Sequence, residues 1–146
     1  MKILVAVDGS ICSYAMTSDV ARRPWPAGSR VKIITVVEPR PSVIPRVRVL
    51  PDNDPHLEQA GRSTIDKAIA HFDAGRPLEI ESAVIHGHPP EAILREAEEW
   101  GADLIVLGSH GHRGIERFLL GSVSQKVAAH AKCSVEIVRC RFAQAS

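Results

Sequence analysis

The chain has 146 residues, 45% hydrophobic and 24% charged, with Lys+Arg 18 against Asp+Glu 17 and a net charge of +1. A chain of this length buries about two-thirds of its unfolded surface, which predicts one domain spanning 1–146. The even charge balance leaves no footprint for nucleic acid, an aromatic content of 4% is too low for a base-stacking platform, and no apolar run approaches membrane-spanning length. Neither nucleic acid nor membrane is therefore an expected partner. The opening run from Ile3 stops at Asp8-Gly9, too soon for a signal peptide. Cys12, Cys133 and Cys140 are odd in number, scattered and without a CxxC, so they are expected to be reduced thiols of a cytoplasmic protein.

In chain order, Ile3 to Val7 is a continuous apolar run, as expected of a strand covered on both faces. Ser10 or Ser13 can cap a helix carrying Tyr14, Ala15, Val20 and Ala21 on one stripe, which Pro24 and Pro26 stop. Val31 to Val37 is a second strand. Glu38 to Pro55 holds Pro39, Pro41, Pro45, Pro51 and Pro55 and is expected to be a long loop. A second helix over Leu57 to Phe72 places Ala60, Thr64, Ala68 and Phe72 on one stripe beside Ile65 and Ile69, with Gly75 and Pro77 after it. Leu78 to Ile85 alternates before becoming apolar, the pattern of an edge strand. Pro89-Pro90 opens a third helix with Ala92, Ile93, Ala97 and Trp100 inward and Glu91, Glu96, Glu98 and Glu99 outward. Leu104 to Leu107 is a fourth strand, Ser122 to Ala131 a fourth helix, and Ser134 to Val138 a closing strand.

Strands alternating with helices require a parallel sheet with right-handed crossovers and helices on both faces. In such open sheets ligands bind beyond the carboxyl ends of the strands, where strand order reverses. The chemistry-bearing pattern sits there: Gly108-Ser109-His110-Gly111, nine residues, then Gly121-Ser122. Glycines let a backbone approach an anion, and the unpaired N–H groups of a helix's first turn point at it. A nucleotide phosphate is the expected ligand. Asp8, closing the first strand, suits a ribose hydroxyl, because a carboxylate accepts hydrogen bonds and repels phosphate. The plainer alternative is that Asp8 caps the first helix.

Three stretches together resemble the universal stress protein family nearly end to end: Ile3-Leu4-Val5-Ala6-Val7-Asp8-Gly9-Ser10, the turn His86-Gly87-His88-Pro89-Pro90, and Ala102 to Gly111 through Gly121-Ser122-Val123-Ser124. The last has the G-x2-G-x9-G-[ST] spacing of that family's ATP-binding branch. The resemblance implies a five-stranded Rossmann-like, adenine nucleotide alpha hydrolase-like α/β fold with strand order 3-2-1-4-5, a homodimer and a nucleotide at the switch point. Carried over by position, Ala6, Val7, Asp8 and Val36 would hold adenine and ribose. Leu107, Gly108, Gly111, Gly121, Ser122 and Val123, with Ser124 close by, would hold the phosphates. The implied ligand is ATP or AMP, with Mg2+ or Mn2+ carried by the nucleotide. The closing strand departs from the family pattern by placing Glu136 among apolar residues, where it either interrupts edge pairing or is tolerated by it.

Other residues have two readings. The pairs His86/His88 and His110/His112 put two rings on one side of an extended segment, but two ligands are too few for a metal site. Arg113 and Arg117, like Arg40, Arg46 and Arg48, either reach a triphosphate or lie solvated. Cys12 near a helix start is either a low-pKa thiol or a small packed residue. Ser109-His110 beside Asp103 is no hydrolase triad, and no G-K-[ST] follows the glycines. No catalytic residue is therefore assigned. The expected function is a cytoplasmic ATP-binding stress-response regulator acting through nucleotide-dependent conformation or an unidentified protein partner. The alternatives are a slow ATPase or nucleotidyl-transfer enzyme on the same site, and a nucleotide-free chaperone-like dimer.

Overall fold

Five strand-forming runs lie side by side, and the two that are apolar without interruption, at 3–7 and 104–107, must be covered on both faces. The computed structural model describes residues 1–38, 54–72, 76–109 and 120–140. Its elements are β1 (Lys2–Ala6), α1 (Ile11–Arg22), β2 (Arg30–Val37), α2 (Pro55–Ile69), β3 (Glu79–His86), α3 (Pro89–Trp100), β4 (Leu104–Gly108), α4 (Ser122–His130) and β5 (Ser134–Val138). The strands form one parallel sheet in the order β3-β2-β1-β4-β5, with β3 at an edge as its alternation predicts.

Side-chain alternation along β1 divides the core. Ile3, Val5 and Val7 face Met16 and Val20 of α1 and Ala68 of α2, whereas Leu4 faces the other way, into a cluster with Ile93 and Ala97 of α3 and Val127 of α4. Helices α1 and α2 thus cover one face, and α3 and α4 the other.

The helix boundaries and stripes need correction in α1, α2 and α3. Helix α2 begins at Pro55, not Leu57, because Asp54 caps it through the His56 N–H at 2.9 Å and proline is tolerated in a first turn. It ends at Ile69, short of Phe72. Its buried residues are Gly61, Ile65 and Ala68, with Ala60 exposed. The stripe is displaced by one position because a bare glycine makes the closest approach to the sheet. A Cβ on Gly61 would stand 2.8 Å from a Val84 methyl carbon and 3.3 Å from one of Val37. In α1 the buried residues are Ser13, Met16, Thr17, Val20 and Ala21, and Ala15 is exposed. Thr17 enters the core because its hydroxyl donates to the Ser13 carbonyl at 2.8 Å and needs no water. Glu96 does not point outward into solvent. It pairs with Lys32 of β2, both side chains about 15% exposed, and the Lys32 ammonium also lies 5.8 Å from the Trp100 ring.

Substituting Gly61 with leucine should lower unfolding free energy by about 1–3 kcal/mol, the usual range for overpacking a filled site. Urea denaturation checks this; an unchanged midpoint would mean that α2 can lift from β3 freely.

Candidate functional site

The strand order reverses between β1 and β4. β1 pairs with β2 on one side (Ala6 with Ile34) and with β4 on the other (Val5 with Val106), so the carboxyl ends of β1 and β4 are adjacent. The helices that follow them leave on opposite faces, α1 on one and α4 on the other. In open parallel sheets this switch point is where a ligand crevice forms.

On the β1 side, the Val7 N–H still donates to the Ile34 carbonyl at 2.9 Å, and then the chain turns. Asp8 accepts from the Ser10 N–H through Oδ1 at 2.9 Å, and its own N–H donates to the Ser13 hydroxyl at 3.1 Å. Gly9 takes φ 83°, a left-handed conformation that side chains resist. Ser10, not Asp8, caps α1, accepting from the Ser13 N–H at 3.1 Å. Asp8 therefore shapes the turn before the cap and stays exposed at the crevice.

On the β4 side, Gly108 pairs with Val138, and the Ser109 N–H donates to the Val138 carbonyl at 3.0 Å. Ser109 is buried, and its carbonyl collects two donors, the Gly121 N–H at 2.7 Å and the Ser124 hydroxyl at 3.2 Å. The same hydroxyl lies 2.9 Å from the Gly121 carbonyl. These bonds bring the chain back to β4 at Gly121 after residues 110–119. Gly121 is the N-cap of α4 and has no side chain to accept from the first turn. With no acidic residue in the first turn, the N–H groups of Ser122, Val123 and Ser124 form a local positive end.

The residues named from sequence fall into three groups. Ala6, Val36, Leu107 and Val123 all pack on the cluster beneath α3 and α4, which gives the crevice an apolar wall; Val7 packs on the opposite cluster. Val36 lies two residues past the Ala6–Ile34 pair, which brings it level with Asp8. Asp8, Gly108, Gly121 and Ser122 lie at the strand ends and the helix start. Ser124 is only 1% exposed and spends its hydroxyl on backbone carbonyls, so its side chain braces Gly121 and is not displayed to a ligand. Gly111, His110, His112, Arg113, Arg117, Arg40, Arg46 and Arg48 lie outside the described residues.

His86 and His88 do not converge. His86 Nε2 lies 2.8 Å from Glu58 of α2, while His88 Nδ1 lies 2.8 Å from Glu38, with Glu91 at 3.5 Å. Among the described residues no group of three His, Cys, Asp or Glu side chains could hold a metal ion. Nor is any described helix long and apolar enough to cross a membrane. Two clefts of about 170 and 220 Å³ lie at the opposite, amino-terminal edge of the sheet, one beside Trp25 and Leu78 and the other beside Ala102 and Cys133. Neither is lined by a candidate nucleotide-binding residue, and both are smaller than the ~300–1,000 Å³ of typical ligand sites.

Cys12 behaves as a packed thiol. Burial and the adjoining Cys140 thiol, with the nearby Asp8 charge, push it up to about 12. Burial also raises Cys133.

The strand order agrees with comparison to known proteins. Residues 1–139 match the universal stress protein family model. The chain belongs to the universal stress protein family. A relative from Thermus aquaticus, named "Universal stress protein in QAH/OAS sulfhydrylase 3'region", is 32% identical over 142 residues, covering 94% of this chain and 97% of its own. The solved structure of hypothetical protein MJ0577 shares the fold with a TM-score of 0.78 at 22% identity, over 97% of both chains. A universal stress protein in complex with cAMP superposes with a TM-score of 0.64 at 28% identity, over 95% of this chain and 96% of its own.

The backbone role of Ser109 escapes sequence reading, since a main-chain carbonyl leaves no side-chain signature. Ser124 was visible only as a hydroxyl near the motif. Replacing Ser124 with alanine should cost about 0.5–1.5 kcal/mol, the net worth of a hydrogen bond, and speed exchange of the Gly121 amide. Hydrogen-exchange mass spectrometry with denaturant titration measures both; unchanged protection at Gly121 would contradict the bracing role. Alkylation of Cys12 by iodoacetamide should be slow at neutral pH and rise about tenfold per pH unit, because only the thiolate reacts and its fraction grows until pH approaches the raised value. A plateau near neutral pH would contradict the packed environment.

Proposed function

We propose that the protein is an adenine-nucleotide-binding regulator of the ATP-binding branch of its family, taking ATP, or AMP in its place, in the crevice between β1 and β4. The observation that carries this reading is the uncapped start of α4 at Gly121, held against β4 by Ser109 within the complete Gly108-x2-Gly111-x9-Gly121-Ser122 spacing. In this reading the N–H groups of Ser122 and Val123 take phosphate oxygens, and Gly108 and Gly111 let the backbone approach them. Ala6, Val7 and Val36 line the adenine and ribose end. Asp8 accepts from a ribose hydroxyl while Oδ1 keeps the turn. The relative complexed with cAMP supports the ligand class.

A divalent ion, Mg2+ or Mn2+, would arrive on the phosphates, screening their charge; the residues that fit the phosphates are the backbone donors of α4's first turn. With no lysine following Ser122, the site holds a nucleotide without an evident means of cleaving it. Binding would then act by changing the surface offered to a protein partner in the cytoplasm.

The same reading includes a homodimer through β5. This strand is the sheet edge, and Val135 and Ile137 on its α4 side are only half-buried. Glu136 does not stand free on that edge: Arg23 holds its two carboxylate oxygens at 2.7 and 2.5 Å. Its charge is neutralised inside the chain, which lowers the cost of pairing the edge with a second copy.

Calorimetric titration tests the site. Wild type should bind ATP and AMP, Asp8→Ala should weaken binding by about 1–3 kcal/mol, the scale of a hydrogen bond to a charged group, and Gly121→Val should abolish it while the circular dichroism spectrum persists. Unchanged affinity in Gly121→Val would remove the phosphate assignment. Conversion of bound ATP to ADP would move the protein to the slow-ATPase alternative, and no binding of any nucleotide to the chaperone-like one. Sedimentation at micromolar concentration should give a dimer; a monomer unchanged by ATP would contradict the β5 pairing.

A further inference from the structure

The turn between β1 and α1 is closed by a ring of hydrogen bonds, each running from a main-chain N–H to a side chain. The Asp8 N–H donates to the Ser13 hydroxyl at 3.1 Å, the Ser13 N–H to the Ser10 hydroxyl at 3.1 Å, and the Ser10 N–H to Asp8 Oδ1 at 2.9 Å. The last two are ordinary chemistry, a helix cap and an aspartate turn. The first is not. In a capping box, the side chain at the position of Ser13 accepts from the N–H of the cap residue itself. Here the cap's N–H goes to Asp8, and Ser13 reaches past Ser10 and Gly9 to the Asp8 main chain. Gly9, at φ 83°, supplies the reversal that lets the ring close.

Ser13 is itself fixed to the core. It is only 4% exposed, and its carbonyl accepts from the buried Thr17 hydroxyl at 2.8 Å. Met16 and Val20 of the same helix pack against Ile3, Val5 and Val7 of β1 and against Leu104 and Val106 of β4. Helix α1 therefore rests on both strands that flank the switch point, and Ser13 passes that fixed position to Asp8. The exposed Asp8 side chain is held twice, at its main chain by Ser13 and at Oδ1 by the Ser10 N–H.

We propose that Ser13 is a positioning residue: by holding the Asp8 main chain it aims the carboxylate, and so sets a preference for nucleotides that carry ribose hydroxyls. It rests on the reading above, in which Asp8 accepts from a ribose hydroxyl. A carboxylate held in place before the ligand arrives has little freedom left to lose on binding, whereas a loose one gives up part of the bond's worth in becoming ordered. Buried Ser13 is not displayed to a ligand, so its effect passes through Asp8. The phosphate contacts proposed at the start of α4 belong to the other strand end and do not depend on the ring.

The test is a double-mutant cycle on the full chain: wild type, Ser13→Ala, Asp8→Ala and the double variant, each titrated by calorimetry with ATP and with its 2′,3′-dideoxy analogue. Wild type should prefer ATP. Ser13→Ala should weaken ATP roughly three- to tenfold, the worth of one hydrogen bond, and leave the affinity for the dideoxy analogue unchanged. In the Asp8→Ala background the same substitution should change neither affinity, because the group it positions is gone. Ser13→Thr keeps the hydroxyl and should keep the preference; Ser13→Cys, a weak acceptor, replaces Ser13→Ala if that variant loses the circular dichroism spectrum of the wild type. An equal loss for both nucleotides, or a loss of ATP affinity that persists in the Asp8→Ala background, would show that Ser13 only supports the fold and would overturn the proposal. So would an unchanged ATP affinity in Ser13→Ala where Asp8→Ala weakens it; that result leaves the ribose reading of Asp8 standing. If wild type binds both nucleotides alike, or binds neither, the reading of the site fails and the role of Ser13 falls with it.

Discussion

The pairing of β1 with β4 is the constraint on which the rest of the structure depends. Because β1 has β2 on its other side, the helices leaving β1 and β4 must cover opposite faces, and the space between their starts cannot be filled by either. Everything at the crevice follows from that geometry. Asp8 and Gly9 lie there because β1 ends there, and Gly108, Ser109 and Gly121 lie there because β4 ends beside it. Ala6, Val36, Leu107 and Val123 belong to the core cluster under α3 and α4, which ties their positions to the sheet.

Much of this was legible because the signals are local and agree with one another. Ile3 to Val7 and Leu104 to Leu107 are apolar without interruption, as only doubly covered strands need be, and their central positions in the sheet follow. The Pro89-Pro90 and Ser122 starts of helices are punctuation with a direct physical cause. What failed was the helix stripe. In α2 the contact surface is marked by an absent side chain, Gly61, and in α1 by polar ones, Ser13 and Thr17, whose hydroxyls are satisfied by backbone groups, the Asp8 N–H and the Ser13 carbonyl. A hydrophobicity count cannot register either.

Contacts between distant residues were illegible for a different reason. Arg23 and Glu136, and Lys32 and Glu96, are joined only by topology, and nothing in their neighbours announces the partner. Glu136 shows the consequence. Read locally, it is a charge interrupting an apolar edge; folded, it is the ion-pair partner of Arg23 at the end of α1. At the site itself the glycines were legible from their spacing, whereas Ser109 acts through its carbonyl and Ser124 through a bond that removes it from the surface.

The central claim is that an adenine nucleotide occupies the carboxyl-edge crevice between β1 and β4. Amide chemical-shift mapping on 15N-labelled protein titrated with ATP and with AMP tests it most directly. The account predicts the largest shifts at Val7, Asp8, Gly108 and the Ser122 to Ser124 turn, with saturation at a single stoichiometry. Shifts confined to the amino-terminal edge, around Trp25, Ala102 or Cys133, or none at millimolar nucleotide, would contradict it.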